Sequence, residues 1–293
     1  PFAPGFQGST RITTPSDTLR PHVACWSHLE LVPLSDETST ETSTEPPAGT
    51  SMPTGTPRHA KAAPPDPDTM DLMKPTNKTA GANRARHADL GNPYGLVLPR
   101  DFYDRDTLDV AQSLVGTYLH RRIVHRGEPV ELVGRITETE GYLGADDDAA
   151  HSARGYTHRT RAMFGPPGHA YVYFIYGMHW SLNAVAGPVG NGHGVLIRAI
   201  EPVVGVDVMQ ELRGGAKAIA DGPGKLCQAL RITGDDYGVD LTVDNGVDAA
   251  QPSLFLTEAT QDVEVRATPR IGIAKATTRD KPWRFIDPQF RRK

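Results

Sequence analysis

Val133-Gly134-Arg135-Ile136-Thr137-Glu138-Thr139-Glu140-Gly141-Tyr142 is the stretch whose reading decides the fold. Its pattern has period two, which predicts a strand with Ile136, Glu138, Glu140 and Tyr142 on one face. Thr137, Thr139 and Gly141 fall on the other. Two carboxylates beside an aromatic ring do not suit an apolar core. That face reads as a site.

Upstream, Leu108, Ala111, Leu114, Val115, Tyr118 and Leu119 form the stripe of a docked helix, predicted to start at the N-cap Asp106 and run to Arg121. Downstream, residues 145–163 read as a polar, irregular segment that includes Asp146-Asp147-Asp148, expected to be solvated. Residues 171–176 are aromatic and β-branched, Gly177 offers a turn, and residues 180–185 continue as a second strand, so a hairpin is predicted. Another strand is expected over residues 194–200, ended by Pro202, then a short helix over 205–212. Asp221-Gly222-Pro223 opens a further helix reaching Leu230, with proline near the first helical position. The remainder reads as short strands and a basic tail, Arg291-Arg292-Lys293. Without regular βαβ alternation, the fold class is α+β, a single mixed domain.

Residues 1–95 hold 14 of the 25 prolines and long runs of Ser, Thr, Glu and Gly. Such a composition buries too little apolar surface to offset ordering entropy, so a disordered leader is expected there, followed by one catalytic domain over 96–293. The net charge of −4 gives no global nucleic-acid signature, so any contact with a polyanion must come from local basic patches. Cys25 and Cys227 lie far apart and read as reduced thiols. No apolar run approaches the ~20 residues of a membrane helix, and no secretory signal is present, so no membrane partner is expected and the cytoplasm is the expected location.

Glu140 is the first candidate for chemistry: at a strand end beside Thr139 and Tyr142 it can take a proton from a positioned water. Alone, such a glutamate is more often solvated. Its neighbours change the odds. Tyr142, Tyr171, Tyr173, Tyr176 and Trp180, with His151, supply flat side chains of the kind that stack on an extruded nucleobase, although a tyrosine-rich core would use the same residues. Tyr176, at the hairpin tip, is badly placed for a core and well placed as a wedge between base pairs. Between His151 and Arg161 no acid interrupts Arg154, His158 and Arg159, which suits a loop tracking phosphates or a solvated loop. Five histidines, His151, His158, His169, His179 and His193, fit no metal-ligand spacing, and no metal is expected. Gly224-Lys225-Leu226 fails as a phosphate loop, because Ile219 replaces the first glycine and Leu226 cannot ligate Mg²⁺.

Residues 135–144, Ala150-His151-Ser152, Arg161-Ala162-Met163-Phe164, Tyr171-Val172-Tyr173, Tyr176-Gly177-Met178, Asn183, residues 196–202 and residues 222–228, in that order, resemble the alkyladenine (3-methyladenine) DNA glycosylase family, also called methylpurine-DNA glycosylase. The similarity spans about residues 96–290. It implies a curved antiparallel sheet with surrounding helices and a protruding hairpin, no metal or organic cofactor, a monomer, and double-stranded DNA with a damaged purine as partner. Glu140 would activate the water that hydrolyses the N-glycosidic bond, with Arg198 helping to hold that water. Tyr142, His151 and Tyr173 would line the base pocket, Asn183 would oppose the 2-amino group of guanine, and Tyr176 would fill the gap in the duplex. Arg154, Arg159 and Arg161 would meet the DNA backbone. With no lysine between Glu138 and Asn183, the reaction should stop at an abasic site. The chain departs from the family pattern at Thr160, at Ser181, at His179-Trp180 and in the glycine-rich loop 187–194. Two rival readings remain at this level: a non-catalytic binder of distorted duplex, and a carbohydrate hydrolase using Glu138 with Glu140.

Overall fold

Residues 93–175, 177–246 and 253–290 of the protein are described in a computed structural model. Residues 1–92 of the expected leader, Tyr176 and the basic tail lie outside the described residues.

Two short helices come first, α1 over Arg100–Tyr103 and α2 over Thr107–Ser113. The Asp106 carboxylate caps α2 as expected, accepting from the N–H groups of Leu108 and Asp109 at 2.8 and 3.3 Å. The helix does not continue to Arg121. Gly116 takes φ of 95°, and Tyr118 already begins β1, Tyr118–His125. Tyr118 and Leu119 extend the helical stripe only by coincidence, because over so few residues a strand supplies the same spacing.

β1 turns through Arg126 and Gly127, both at positive φ, into the long strand β2, Glu128–Leu143. A two-residue turn of that kind matches the twist of the strands it joins. β3 (Ala170–Ile175) and β4 (His179–Val185) form the expected hairpin, closed by the pair Ile175 and His179. β5 spans His193–Val204, followed by α3 (Val206–Leu212) and α4 (Pro223–Ala229), which matches both helix predictions. Short strands complete the set: β6 (Ser253–Thr257), β7 (Arg266–Thr268) and β8 (Arg284–Ile286). β5 passes through Pro202 rather than stopping before it; Pro202 opposes Gly134 next to a register shift, where a missing N–H is tolerated.

The strands form one curled antiparallel sheet in the order β3-β4-β5-β2-β1-β6, with β8 added on β2 and β7 on β8. With a few helices packed on it, this is the α+β class that the sequence indicates. The main core joins Ala111 of α2 and Leu114 at its C-cap to Leu119, Leu182, Ile197 and Ile200 of the sheet and to Leu226 and Leu230 around α4. Ile136 belongs to this core and not to the polar face. The pairing of β2 with β5 slips between Ile136 and Glu138 and again between Glu138 and Thr139, so simple alternation breaks there. Beyond the slip the expected parity holds. Thr139 donates to Ala111 O of α2 at 2.6 Å, a Cβ on Gly141 would meet Leu108 of α2 at 2.7 Å, and Glu138, Glu140 and Tyr142 are turned to one site. Cys227 is free and buried in α4. Among the described residues no helix is long and apolar enough to cross a membrane.

Candidate active site

The site forms where β2 changes neighbours. Up to Arg135 its flank is paired with β1, and at Glu138, Thr139 and Glu140 the same flank is paired with β8. With β5 on the other side, both carboxylates lie inside the sheet rather than at an edge. Charges buried there need partners. Glu138 Oε1 accepts from Arg198 Nε at 2.9 Å and from Arg284 Nε at 2.6 Å. Glu140, with no exposed surface, accepts at Oε2 from the Tyr142 hydroxyl (2.9 Å) and Arg198 Nη1 (3.2 Å), and at Oε1 from the Ile271 N–H (2.8 Å).

Burial pushes the Glu140 carboxyl above the usual glutamate range, and the charge of Glu138 adds to the rise; Arg198, the Ile271 N–H and Tyr142 oppose it. The outcome is a carboxylate with more than ordinary appetite for a proton, the property a general base needs.

A cavity of about 620 Å³ opens directly over this floor. Tyr142, His151, Tyr173, Asn183 and Arg198, all singled out from the sequence, line it together with Met163, Leu196 and the backbone stretch Ile271-Gly272-Ile273. Glu140 sits just beneath, reached through Tyr142 and Arg198. The His151 ring stands edge-on to Tyr173 at 4.3 Å and 79°, and its Nδ1 lies 3.0 Å from the Tyr171 hydroxyl. Tyr171 stacks on Tyr173 at 5.3 Å and 27°. Asn183 is fixed by its amide, which donates to Tyr171 O at 3.1 Å. Although one side of His151 faces the open cavity, desolvation against the protein, with the nearby Arg159 charge, lowers its pKa to about 4. The imidazole is therefore neutral near pH 7 and can both donate and accept.

The basic loop divides. Arg159 reaches the rim of the cavity, 5.8 Å from the Tyr173 ring centre. Arg161 lies instead over Tyr237 at 4.5 Å and donates to His158 O, lining a neighbouring cavity with Arg159, Phe174 and Trp180. Arg154 is exposed and lines neither. Of the departures from the family pattern, Ser181 lines the main cavity, Thr160 is buried in a hydroxyl pair with Thr157 (2.8 Å), and Trp180 packs on Phe174 at 4.8 Å.

The sequence reading missed the C-terminal contribution. Arg270 is buried, stacks at 4.5 Å on the Tyr142 ring, and pairs with Asp147 at 2.6 Å. Asp147 thus corrects the expectation of a solvated triad. Asp146 and Asp148 are exposed, whereas Asp147 has no exposed surface and receives Arg270 and Thr278. No local pattern marks Arg270, Ile271 or Arg284, because the site residues they bond, Asp147, Glu140 and Glu138, lie more than a hundred residues away. Among the described residues no group of three His, Cys, Asp or Glu is gathered as a metal ion would need.

A methylpurine-DNA glycosylase family model matches residues 101–290 of the chain. A protein of Methanoculleus marisnigri is 49% identical over 192 residues, which is 65% of this chain and 94% of that protein. One from Koribacter versatilis is 47% identical over 196 residues (64% and 88%), and one from Bacillus cytotoxicus 44% over 201 residues (65% and 95%). All three carry the name "Putative 3-methyladenine DNA glycosylase".

Proposed function

Because the chain belongs to the methylpurine-DNA glycosylase family, and is on that ground a DNA N-glycosidase, we propose that it extrudes damaged purines from duplex DNA and hydrolyses their N-glycosidic bond with Glu140 as the general base. The observation that carries this reading is the buried Glu140 carboxylate set beneath an aromatic cavity and joined to it through Tyr142 and Arg198. Water attacks C1′ of the extruded nucleotide, the C1′–N bond breaks with its electron pair leaving on the purine, and the water proton passes to Glu140. Arg198 steadies the attacking water and keeps Glu140 ionised. Glu138 is bound at one oxygen by both Arg198 and Arg284, and the two carboxylates sit two residues apart on one strand rather than on opposite sides of the cavity, which speaks against a paired-carboxylate sugar hydrolase.

Tyr142, His151 and Tyr173 bracket the base, and a neutral His151 hydrogen-bonds to its edge. Asn183, held against Tyr171 O, opposes the 2-amino group of guanine. Tyr176 fills the vacated stack, and Arg154, Arg159 and Arg161 meet phosphates. Among the described residues no lysine lines the cavity, which supports a monofunctional enzyme that leaves an abasic site. The protein acts as a monomer, and residues 1–95 are dispensable for the chemistry.

The test uses duplex oligonucleotides carrying one hypoxanthine, ethenoadenine or 7-methylguanine, incubated in excess EDTA and then treated with hot alkali to cut at abasic sites. Wild type should release base and Glu140→Gln should not. Equal release by both sinks the role of Glu140, and gel shifts without release point to a binder. Tyr176→Ala should slow single-turnover release without loss of fold; unchanged kinetics would dismiss the wedge.

A further inference from the structure

Arg270 is an expensive residue for the fold to keep. Its guanidinium and the Asp147 carboxylate both have fully buried side chains, and a buried ion pair is seldom more stabilising than apolar groups of the same volume. Its Nε has no partner among the described residues, which adds to the cost. The remaining donors are fully used. Nη1 donates to Asp147 Oδ2 (2.6 Å) and Gly141 O (2.9 Å), and Nη2 to Asp147 Oδ1 (2.8 Å) and Thr278 Oγ1 (2.9 Å). The guanidinium also lies over the rings of Tyr142 (4.5 Å) and Trp283 (4.9 Å).

Two of these connections lead to Glu140. Tyr142, whose ring rests on Arg270, gives its hydroxyl to Glu140 Oε2. Ile271, the next residue, gives its N–H to Glu140 Oε1. Ile271 is 43% exposed and Gly272 beyond it is exposed, whereas the Arg270 side chain immediately before them is fully buried.

We propose that Arg270, locked by Asp147, is a positioning residue that sets the Tyr142 ring and the Ile271 N–H at the geometry Glu140 needs. The proposal rests on the reading of Glu140 as the base. Arg270 touches neither substrate nor water; it acts through the two donors. The charged and titratable groups that face Glu140 are Glu138 and Tyr142 on β2, Tyr173 on β3, Arg198 on β5 and, through Glu138, Arg284 on β8. Of the groups bonded to Glu140, Tyr142 is in ring contact with Arg270 and the Ile271 N–H follows it directly in the chain. Both hold the Glu140 carboxyl down against the effect of burial, so loosening them moves it up.

The experiment is single-turnover base release from a hypoxanthine duplex at pH 5 to 9, with a thermal melt of each variant. In Arg270→Met the acid limb should move to higher pH and the rate near neutrality should fall about tenfold, a displacement effect of the size that small misplacements cause. Arg270→Lys keeps a charge for Asp147 but neither the fork nor the flat face, so it should restore only part of the rate. A uniform fall with an unmoved limb overturns the proposal and leaves a merely structural ion pair. Should Arg270→Met not fold, Thr278→Val, which removes the hydroxyl shared by both partners, gives the same reading: a raised limb supports the proposal and an unmoved one overturns it. Glu140→Gln runs alongside. Full activity in that variant would remove the base itself, whereas an inactive Glu140→Gln with an unmoved limb in Arg270→Met removes only the positioning role.

Discussion

The Tyr142 hydroxyl lies 2.9 Å from Glu140 Oε2, two residues away on the same strand, so the ring that lines the cavity is also a hydrogen-bond donor to the carboxylate beneath it. Tyr142→Phe keeps the ring and removes the donor. Because this bond helps hold the Glu140 carboxyl down, its loss should raise that group further. Base release should slow several-fold near pH 6 and recover toward pH 8.5, as single-turnover rates across pH would show. Equal slowing at every pH would mean that the hydroxyl acts on the substrate instead.

His151 gives a second pH signature. Its folded value of about 4 lies below the roughly 6.5 of an unfolded histidine. The unfolded chain therefore takes up this proton first as pH falls. The stability linked to His151 is complete above about pH 6.5 and declines as pH drops toward 4. An NMR titration of the imidazole should find its midpoint near 4, and His151→Gln should flatten that part of the stability curve. A midpoint at 6 or above would refute the neutral-histidine assignment.

Away from the site, Arg121 and Asp236 are both buried and joined by two bonds of 2.6 and 3.2 Å. Asp236 also accepts from the Thr233 N–H, closing a short helical turn. Arg121→Met leaves that carboxylate without its counter-charge and should cost about 3–5 kcal/mol in urea unfolding. The double variant Arg121→Met with Asp236→Leu should recover much of it. A single-variant loss under about 1 kcal/mol would contradict the assigned role.

Gly144, directly after β2, has φ of 58°, and a Cβ there would overlap the backbone oxygen of Asn191. Gly144→Ala should destabilise by about 1–3 kcal/mol, since left-handed strain and a backbone clash combine. The melting temperature measures it, and an unchanged value would show that the turn can shift freely.

The candidate site was legible from sequence where its logic is local. Glu140 and Tyr142 share a face because they are two apart on a strand, and His151, Tyr173 and Asn183 follow within reach of the same cavity. Legibility failed where structure depends on distant partners. Asp147 looks like its exposed neighbours until Arg270, 123 residues on, is brought against it. Alternation alone puts Ile136 on the face of Glu138, whereas the register slip that accompanies its place in the core is set jointly with β5. The helix ends before Arg121 for a local reason: Tyr118 and Leu119 satisfy a helical and a strand pattern alike, and it is Gly116, at φ of 95°, that separates the two elements.

The partner exchange along β2 also sets a schedule. A ribosome delivers Ile271 131 residues after Glu140, and Arg284 146 residues after Glu138. During that interval the nascent strand can pair with β1 and then β5, which brings Arg198 to both carboxylates, yet each still lacks one donor from the late segment. The carboxylate end of the strand is completed only when the late segment docks, and a nascent chain cut short before residue 270 would have much of its sheet but neither the Ile271 N–H for Glu140 nor Arg284 for Glu138.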